Sequence, residues 1–173
     1  DNSQYDQLHH FLSDSPWQAR KLIDRVASRS YSLLSGKSQL TGLPLGLYID
    51  ETSFRKKGTK SVGVKRQYLG CIGKVDNGQV AVFSALGTGS HCALIDCRLY
   101  LPECWVNDKE RCNQAKIPLD QREYKTKIEL ALESIEHIDN KGVIPDFYAI
   151  DALYGSSMVF MNTLELHGKP VLG

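Results

Sequence analysis

Two aspartates, each closing a short apolar run, are the residues in this chain best suited to chemistry. Leu45-Gly46-Leu47-Tyr48-Ile49 leads into Asp50, and Phe147-Tyr148-Ala149-Ile150 leads into Asp151. Both runs have the aromatic and β-branched content of strands buried on two faces. A carboxylate at the end of such a strand is costly to bury alone. Two on neighbouring strands would repel each other unless a divalent cation lay between them. Paired acids of that kind hold Mg2+ or Mn2+ for phosphodiester chemistry. The bland alternative is that both are ordinary strand ends or helix caps.

The basic residues are the second candidate group. The chain has 173 residues and a formal net charge of +1, so its bulk charge announces no nucleic-acid partner. The distribution is uneven, however. Arg55, Lys56, Lys57, Lys60, Lys65 and Arg66 fall in one stretch that contains no acidic residue. Such a stretch can hold DNA phosphates, with salt-sensitive affinity, or form a solvated hairpin loop. Tyr68 and Tyr154 offer rings for base stacking or for core packing.

Other polar groups point to less. Glu51 follows Asp50, and strand alternation turns it to the opposite face, which suits a surface or supporting role better than metal binding. His9, His10, His91, His137 and His167 form no evident triad with a serine or cysteine. His137 and His167 fall near helix C-termini, where a partly charged imidazole is favourable in its own right. The five cysteines (Cys71, Cys92, Cys97, Cys104 and Cys112) are odd in number and irregular in spacing. No CxxC pair accompanies His91 and Cys92, so scattered reduced thiols in a cytoplasmic protein fit better than zinc or a disulfide framework. No run is long and apolar enough for a membrane span, and the start has no signal-peptide pattern.

The elements that must position these groups are partly legible. Ser15-Pro16 has the form of a helix start, followed by Trp17, Leu22, Ile23, Val26, Leu33 and Leu34 at near-helical spacing. Residues 35–44 have a loop composition. Arg66 to Gly73 and Gln79 to Leu86 are strand-like, and Val75-Asp76-Asn77-Gly78 between them carries a strong hairpin-turn signal. Residues 93–101 continue the sheet or run along its edge, and Asn107 to Lys116 is a short polar helix at most. Thr126-x-x-Glu129 is a capping box, and the helix behind it aligns Ile128, Ala131, Leu132, Ile135 and Ile138 before Asn140-Lys141-Gly142 stops it. Asp146 to Asp151 is the next strand. Ser156 or Ser157 then caps a helix that runs through Leu166.

This order describes an α/β protein on the ribonuclease-H-like plan. Strands one to three are antiparallel, a helical crossover follows, and a fourth, parallel strand returns beside the first. Asp50 and Asp151, far apart in sequence, would then be neighbours. The expected division is an N-terminal helical segment over residues 1–44 and the front part of the catalytic domain over 45–173. Lys169-Pro170-Val171-Leu172-Gly173 begins a fifth strand that is cut short, as in a fragment of a longer protein.

The residues also carry a family resemblance. Ile49-Asp50-Glu51-Thr52-Ser53-Phe54-Arg55-Lys56-Lys57-Gly58, continuing to Gly70, resembles the first catalytic block of bacterial insertion-sequence transposases of the DDE class. Asn77 to Phe83, Ala93 to Trp105, Asp151-Ala152-Leu153-Tyr154-Gly155 and the amino-terminal Leu8 to Trp17 resemble further blocks, so the likeness covers nearly the whole chain. It implies a ribonuclease-H-like core that cuts and joins DNA at transposon ends, with Asp50 and Asp151 as catalytic ligands of Mg2+ or Mn2+. It also implies DNA contacts by Arg55, Lys56, Lys57, Lys60, Lys65 and Arg66 and a nucleoid-associated location, while the exposed edge and apolar surface left by the cut-short fifth strand favour a homo-oligomer. The third acid of the class lies on a later helix. Glu165 is no substitute, because it sits on the helix directly after the fourth strand. The alternatives are a remnant that binds DNA or a partner without catalysis, and another ribonuclease-H-like nuclease.

Overall fold

The computed structural model describes residues 2–14 and 18–173, so the expected helix start at Ser15-Pro16 lies outside the described residues. Helix α1 (Asn2–Ser13) precedes α2 (Ala19–Thr41). Helix α2 runs through most of the stretch expected to be a loop. Gly36 does not end it; Gly42 does, at φ 70, with its N–H bonded to the Ser38 carbonyl. Glycine adopts that left-handed conformation without the penalty a Cβ imposes.

The sheet is built from β1 (Gly46–Arg55), β2 (Lys65–Leu69), β3 (Lys74–Thr88), β4 (His91–Leu99), β5 (Phe147–Ile150) and β6 (Val171–Leu172). Its order is β2-β3-β1-β5-β6, with β4 also pairing with β3. β3 is long enough to take β2 along its first residues and β4 along the rest, both on the side away from β1. Pairings within β1–β4 are antiparallel, whereas β5 and β6 are parallel additions. This is the ribonuclease-H-like plan, with β5 returning beside β1.

One turn differs from expectation. Asp76-Asn77-Gly78 does not reverse the chain but lies inside β3. The reversal is a 3-10 turn at Gly70–Ile72, closed by Gly73 at φ 63. Asn77 uses its side chain to hold a neighbouring loop instead. Gly78 admits the Phe54 carbonyl, which would lie 2.6 Å from an added Cβ.

Short helices α3 (Glu103–Val106) and α4 (Lys109–Gln114) follow β4. Next comes α5 (Lys127–Asn140), where the capping box is present: Thr126 accepts from the Glu129 amide while Glu129 accepts from that of Thr126. After β5, α6 (Ala152–Gly155) and α7 (Met158–Leu166) lead to β6.

Strand alternation sorts the sheet into two faces. Leu47 and Ile49 of β1, Val82 and Leu86 of β3, and Tyr148 and Ile150 of β5 turn to one side. There they pack with Ala27 and Leu34 of α2, Leu130, Ala131, Ile135 and Ile138 of α5, and Phe160 and Leu164 of α7. Each such aliphatic side chain, fully buried, contributes about 1.5–3 kcal/mol. The other face is open, with Tyr48, Phe54, Leu94 and Leu99 exposed on it. Asp50 belongs to that open face, in step with Tyr48 and Phe54.

Candidate functional site

The site begins with the way β5 docks on β1. Leu45 and Asp146 grip each other at the start of the pair: the Leu45 amide donates to Asp146 Oδ2 at 2.8 Å, and the Asp146 amide to the Leu45 carbonyl at 2.7 Å. Gly46 then lies under the Phe147 ring, whose Cζ would be 2.3 Å from an added Cβ. With the register set there, Ile49 pairs with Ile150 and the pairing ends. The next residue on each strand is an aspartate.

Carboxylate oxygens of Asp50, Glu51 and Asp151 lie within 4.8 Å of one another. Asp50 and Asp151 are exposed and Glu51 is half-buried. Each aspartate is oriented through one oxygen. Asp50 Oδ1 accepts from the Glu51 amide at 2.7 Å. Asp151 Oδ1 caps α6, accepting from the amides of Leu153 at 2.9 Å and Tyr154 at 3.4 Å. Among the described residues, neither Oδ2 accepts a hydrogen bond. Asp151 is thus a helix cap as well as a site candidate, and one role leaves the other's oxygen free.

Glu51 is the residue that sequence reasoning undervalued. It does turn away from the open face, toward α5 and α6, where Lys127 pairs with Oε1 and the Tyr154 hydroxyl donates to Oε2 at 3.2 Å. At a strand end, however, its longer side chain still brings the carboxylate beside the two aspartates. Tyr154 is fully buried, so its ring packs in the core rather than meeting bases. Burial first, and then the neighbouring Glu51 charge, raise its hydroxyl well above the ordinary tyrosine range. The hydroxyl therefore stays a proton donor to Glu51.

Electrostatics mark Asp50 as the uncomfortable member. Its pKa lies above the usual aspartate value, chiefly because its surroundings desolvate it and further because Asp151 and Glu51 are negative; the Glu51 amide and Lys127 oppose this. Three converging carboxylates, two of them with a free hard oxygen, suit Mg2+, Mn2+ or Ca2+. A raised acid pKa also means that the folded state binds more protons than the unfolded chain above pH 4, so stability falls as pH rises through the folded pKa. Asp50→Asn is therefore expected to raise the melting temperature slightly at pH 7 in EDTA, with a smaller gain at pH 4. Thermal melts at the two pH values check this.

The basic stretch lies elsewhere, at the far tip of β1. Arg55 is paired with Asp76 at 2.8 Å. Lys56, Lys57, Lys60, Lys65 and Arg66 form no ion pair with a described residue, and all but the half-buried Lys56 are exposed. Arg66, opposite Asn77 on β3, shares the open face with Asp50, while Lys65 turns to the other side. Tyr68 is exposed beside Arg66. Three of the five histidines lie beside acids: His137 with Asp24 at 2.7 Å, His167 with Asp139 at 3.0 Å and His10 with Asp14 at 3.6 Å. The five cysteines are free thiols. Among the described residues, no helix is long and apolar enough to cross a membrane.

No solved structure matches the chain significantly. The chain is 37% identical over 150 residues to a probable transposase for insertion sequence element IS701 from Microchaete diplosiphon, an alignment covering 87% of this chain and 35% of that protein. It therefore spans about a third of that relative's length. The DDE superfamily endonuclease family matches residues 1–170. With that match running from the first helices to the edge of β6, the chain belongs to the DDE superfamily endonucleases.

Proposed function

We propose that this chain is the front part of the catalytic core of a DNA transposase, and that Asp50 and Asp151 are its first two metal-binding acids. The observation that carries the reading is the convergence of the two aspartates at the matched ends of parallel strands, each with one oxygen fixed and one free. Mg2+ or Mn2+ held there would activate the attacking water or 3′-hydroxyl and stabilise the leaving 3′-oxygen. The chain's own groups do the positioning. The Glu51 and Leu153 amides aim the two aspartates, while Lys127 and Tyr154 hold Glu51 beside them. Two aspartates leave room for the waters and phosphate oxygens that magnesium prefers. Lys56, Lys57, Lys60, Lys65 and Arg66 meet DNA phosphates beyond the site, with Arg55 shared with Asp76.

In a complete transposase carrying this chain, Asp50→Ala and Asp151→Ala are each expected to abolish metal-dependent nicking of transposon-end DNA while the protein still binds that DNA. Nicking retained by either variant would overturn the reading. Self-association over the open sheet face belongs to the same proposal. Light scattering at high concentration should then give a mass above the 19.4 kDa of one chain, and a clean monomer counts against it.

A further inference from the structure

The loop that joins β1 to β2 is held in an unusual way. Its carbonyls are taken up by side chains from other elements. Asn77 Nδ2 on β3 donates to the carbonyls of Lys56 at 2.8 Å and Gly58 at 2.9 Å. Arg111 Nη2 on α4 donates to that of Thr59 at 2.7 Å. Gln79 Nε2 donates to Val62, and Trp105 Nε1 on α3 to Val64 at 2.9 Å. The Arg111 guanidinium in turn lies over the Trp105 ring, 3.7 Å from its centroid. Val62 packs against a small core of Leu101, Trp105, Cys112 and Ile117. Gly63, at φ 77, allows the Tyr100 carbonyl to approach, 2.8 Å from where a Cβ would sit.

What the loop leaves free is complementary. Residues 57–61 are all exposed, and their backbone amides donate to no described residue. Lys57 and Lys60 stand among those amides without an ion-pair partner among the described residues. Carbonyls tied to the protein, with amides and ammonium groups left over, is the arrangement that favours an anion. A flexible lysine loop would pay to order itself on binding, whereas a held one does not.

We propose that residues 56–64 form a preshaped platform for nucleic-acid phosphates, and that Asn77, Gln79, Trp105 and Arg111 are positioning residues that set its shape. This rests on the reading that the chain binds DNA and adds how it does so. The platform begins just past the end of β1, six residues from Asp50, about 20 Å at strand rise. A DNA strand with one phosphate at the acids would reach it about six nucleotides later.

The test is fluorescence anisotropy of a labelled duplex with the whole chain in EDTA, across a salt series, beside hydrogen exchange over residues 56–64. Asn77→Ala/Gln79→Ala keeps the net charge. It is expected to weaken DNA binding about five- to tenfold and to speed exchange at the hydrogen-bonded Lys56 and Val64 amides that bracket the loop. Lys57→Ala/Lys60→Ala, a surface change that leaves the fold alone, should lower the slope of log affinity against log salt by about 1.8. DNA affinity unchanged in the Asn77/Gln79 variant, with or without faster loop exchange, would overturn the positioning role. An unchanged salt slope in the lysine variant would overturn the platform. Wild-type chain that fails to bind duplex at low salt would remove the DNA reading itself, and leaves the metal-binding acids to be judged separately.

Discussion

Asp151→Asn should cost the chain its divalent-metal binding, with Mn2+ affinity falling by at least about tenfold. The substitution is nearly isosteric and removes one of the two free aspartate oxygens as an anionic ligand. The amide oxygen of asparagine can still accept from the Leu153 and Tyr154 amides, so the α6 cap survives and folding is little changed. Asp50→Asn should match it in lost affinity. Glu51→Gln should cost less, because Lys127 and Tyr154 already engage both of its oxygens. Titration of Mn2+ followed by the loss of its free-ion magnetic resonance signal checks all three. Equal affinity in wild type and Asp151→Asn would show that the aspartates do not act together.

The second large effect lies away from the site. Asp96 on β4 is 2% exposed, and it is held by Arg20 of α2 and by Arg98, whose Nε is 2.7 Å away. Burial alone would raise its pKa, but hydrogen bonds from Arg98, Arg20 and Ser134 outweigh that and hold it below the ordinary aspartate range. Ser134 in turn bonds Ser84 on β3 at 2.7 Å, so the group ties α2 and α5 to the sheet beneath. Asp96→Ala leaves two arginines facing a buried gap. Losses of about 3–5 kcal/mol are typical for such a change. The lower end applies, since Arg20 is partly exposed and can turn to solvent, while Arg98 keeps Glu133 at 3.9 Å. At about 2–4 °C per kcal/mol for a chain of this size, the melting point should drop by roughly 6 °C or more.

The pH dependence has a definite sign. A depressed folded pKa gives stability that is complete above the unfolded aspartate value and lost as pH falls through the folded one. The wild type should therefore lose stability on acidification below about pH 4, and Asp96→Asn should flatten that decline. Asp50 works in the opposite direction. A chain whose stability below pH 4 is unaffected by Asp96→Asn would show that the arginine pair does not hold this carboxylate ionised.

How much of this was legible in the sequence follows from physical range. The apolar runs ending in Asp50 and Asp151 describe buried strands locally, and the parallel return beside β1 follows from chain order. The capping box at Thr126 and the Ser157 cap are also local and stand where expected. The errors arose where a local signal serves a distant partner. Asn77-Gly78 has turn chemistry, but the asparagine is spent on Lys56 and Gly58 and the glycine on the Phe54 carbonyl. The actual reversal uses Gly70 and Gly73. Residues 35–41 look loop-like, yet the helix persists past Gly36, whose cost of about 1 kcal/mol is small beside the packing of Ala27 and Leu34 upstream. Alternation gave the direction of Glu51 correctly. It could not foresee that Lys127 and Tyr154, far along the chain, would hold that side chain at the cluster. Nor did composition distinguish Arg55, paired with Asp76, from the unpaired lysines after it.

The most direct measurement is anomalous diffraction from crystals soaked in Mn2+. A single strong peak bonded at about 2.1 Å to one oxygen of Asp50 and one of Asp151 is the result expected from two strand-end acids that share a cation. Manganese seated elsewhere, or touching only one of the pair at saturating concentration, would contradict it.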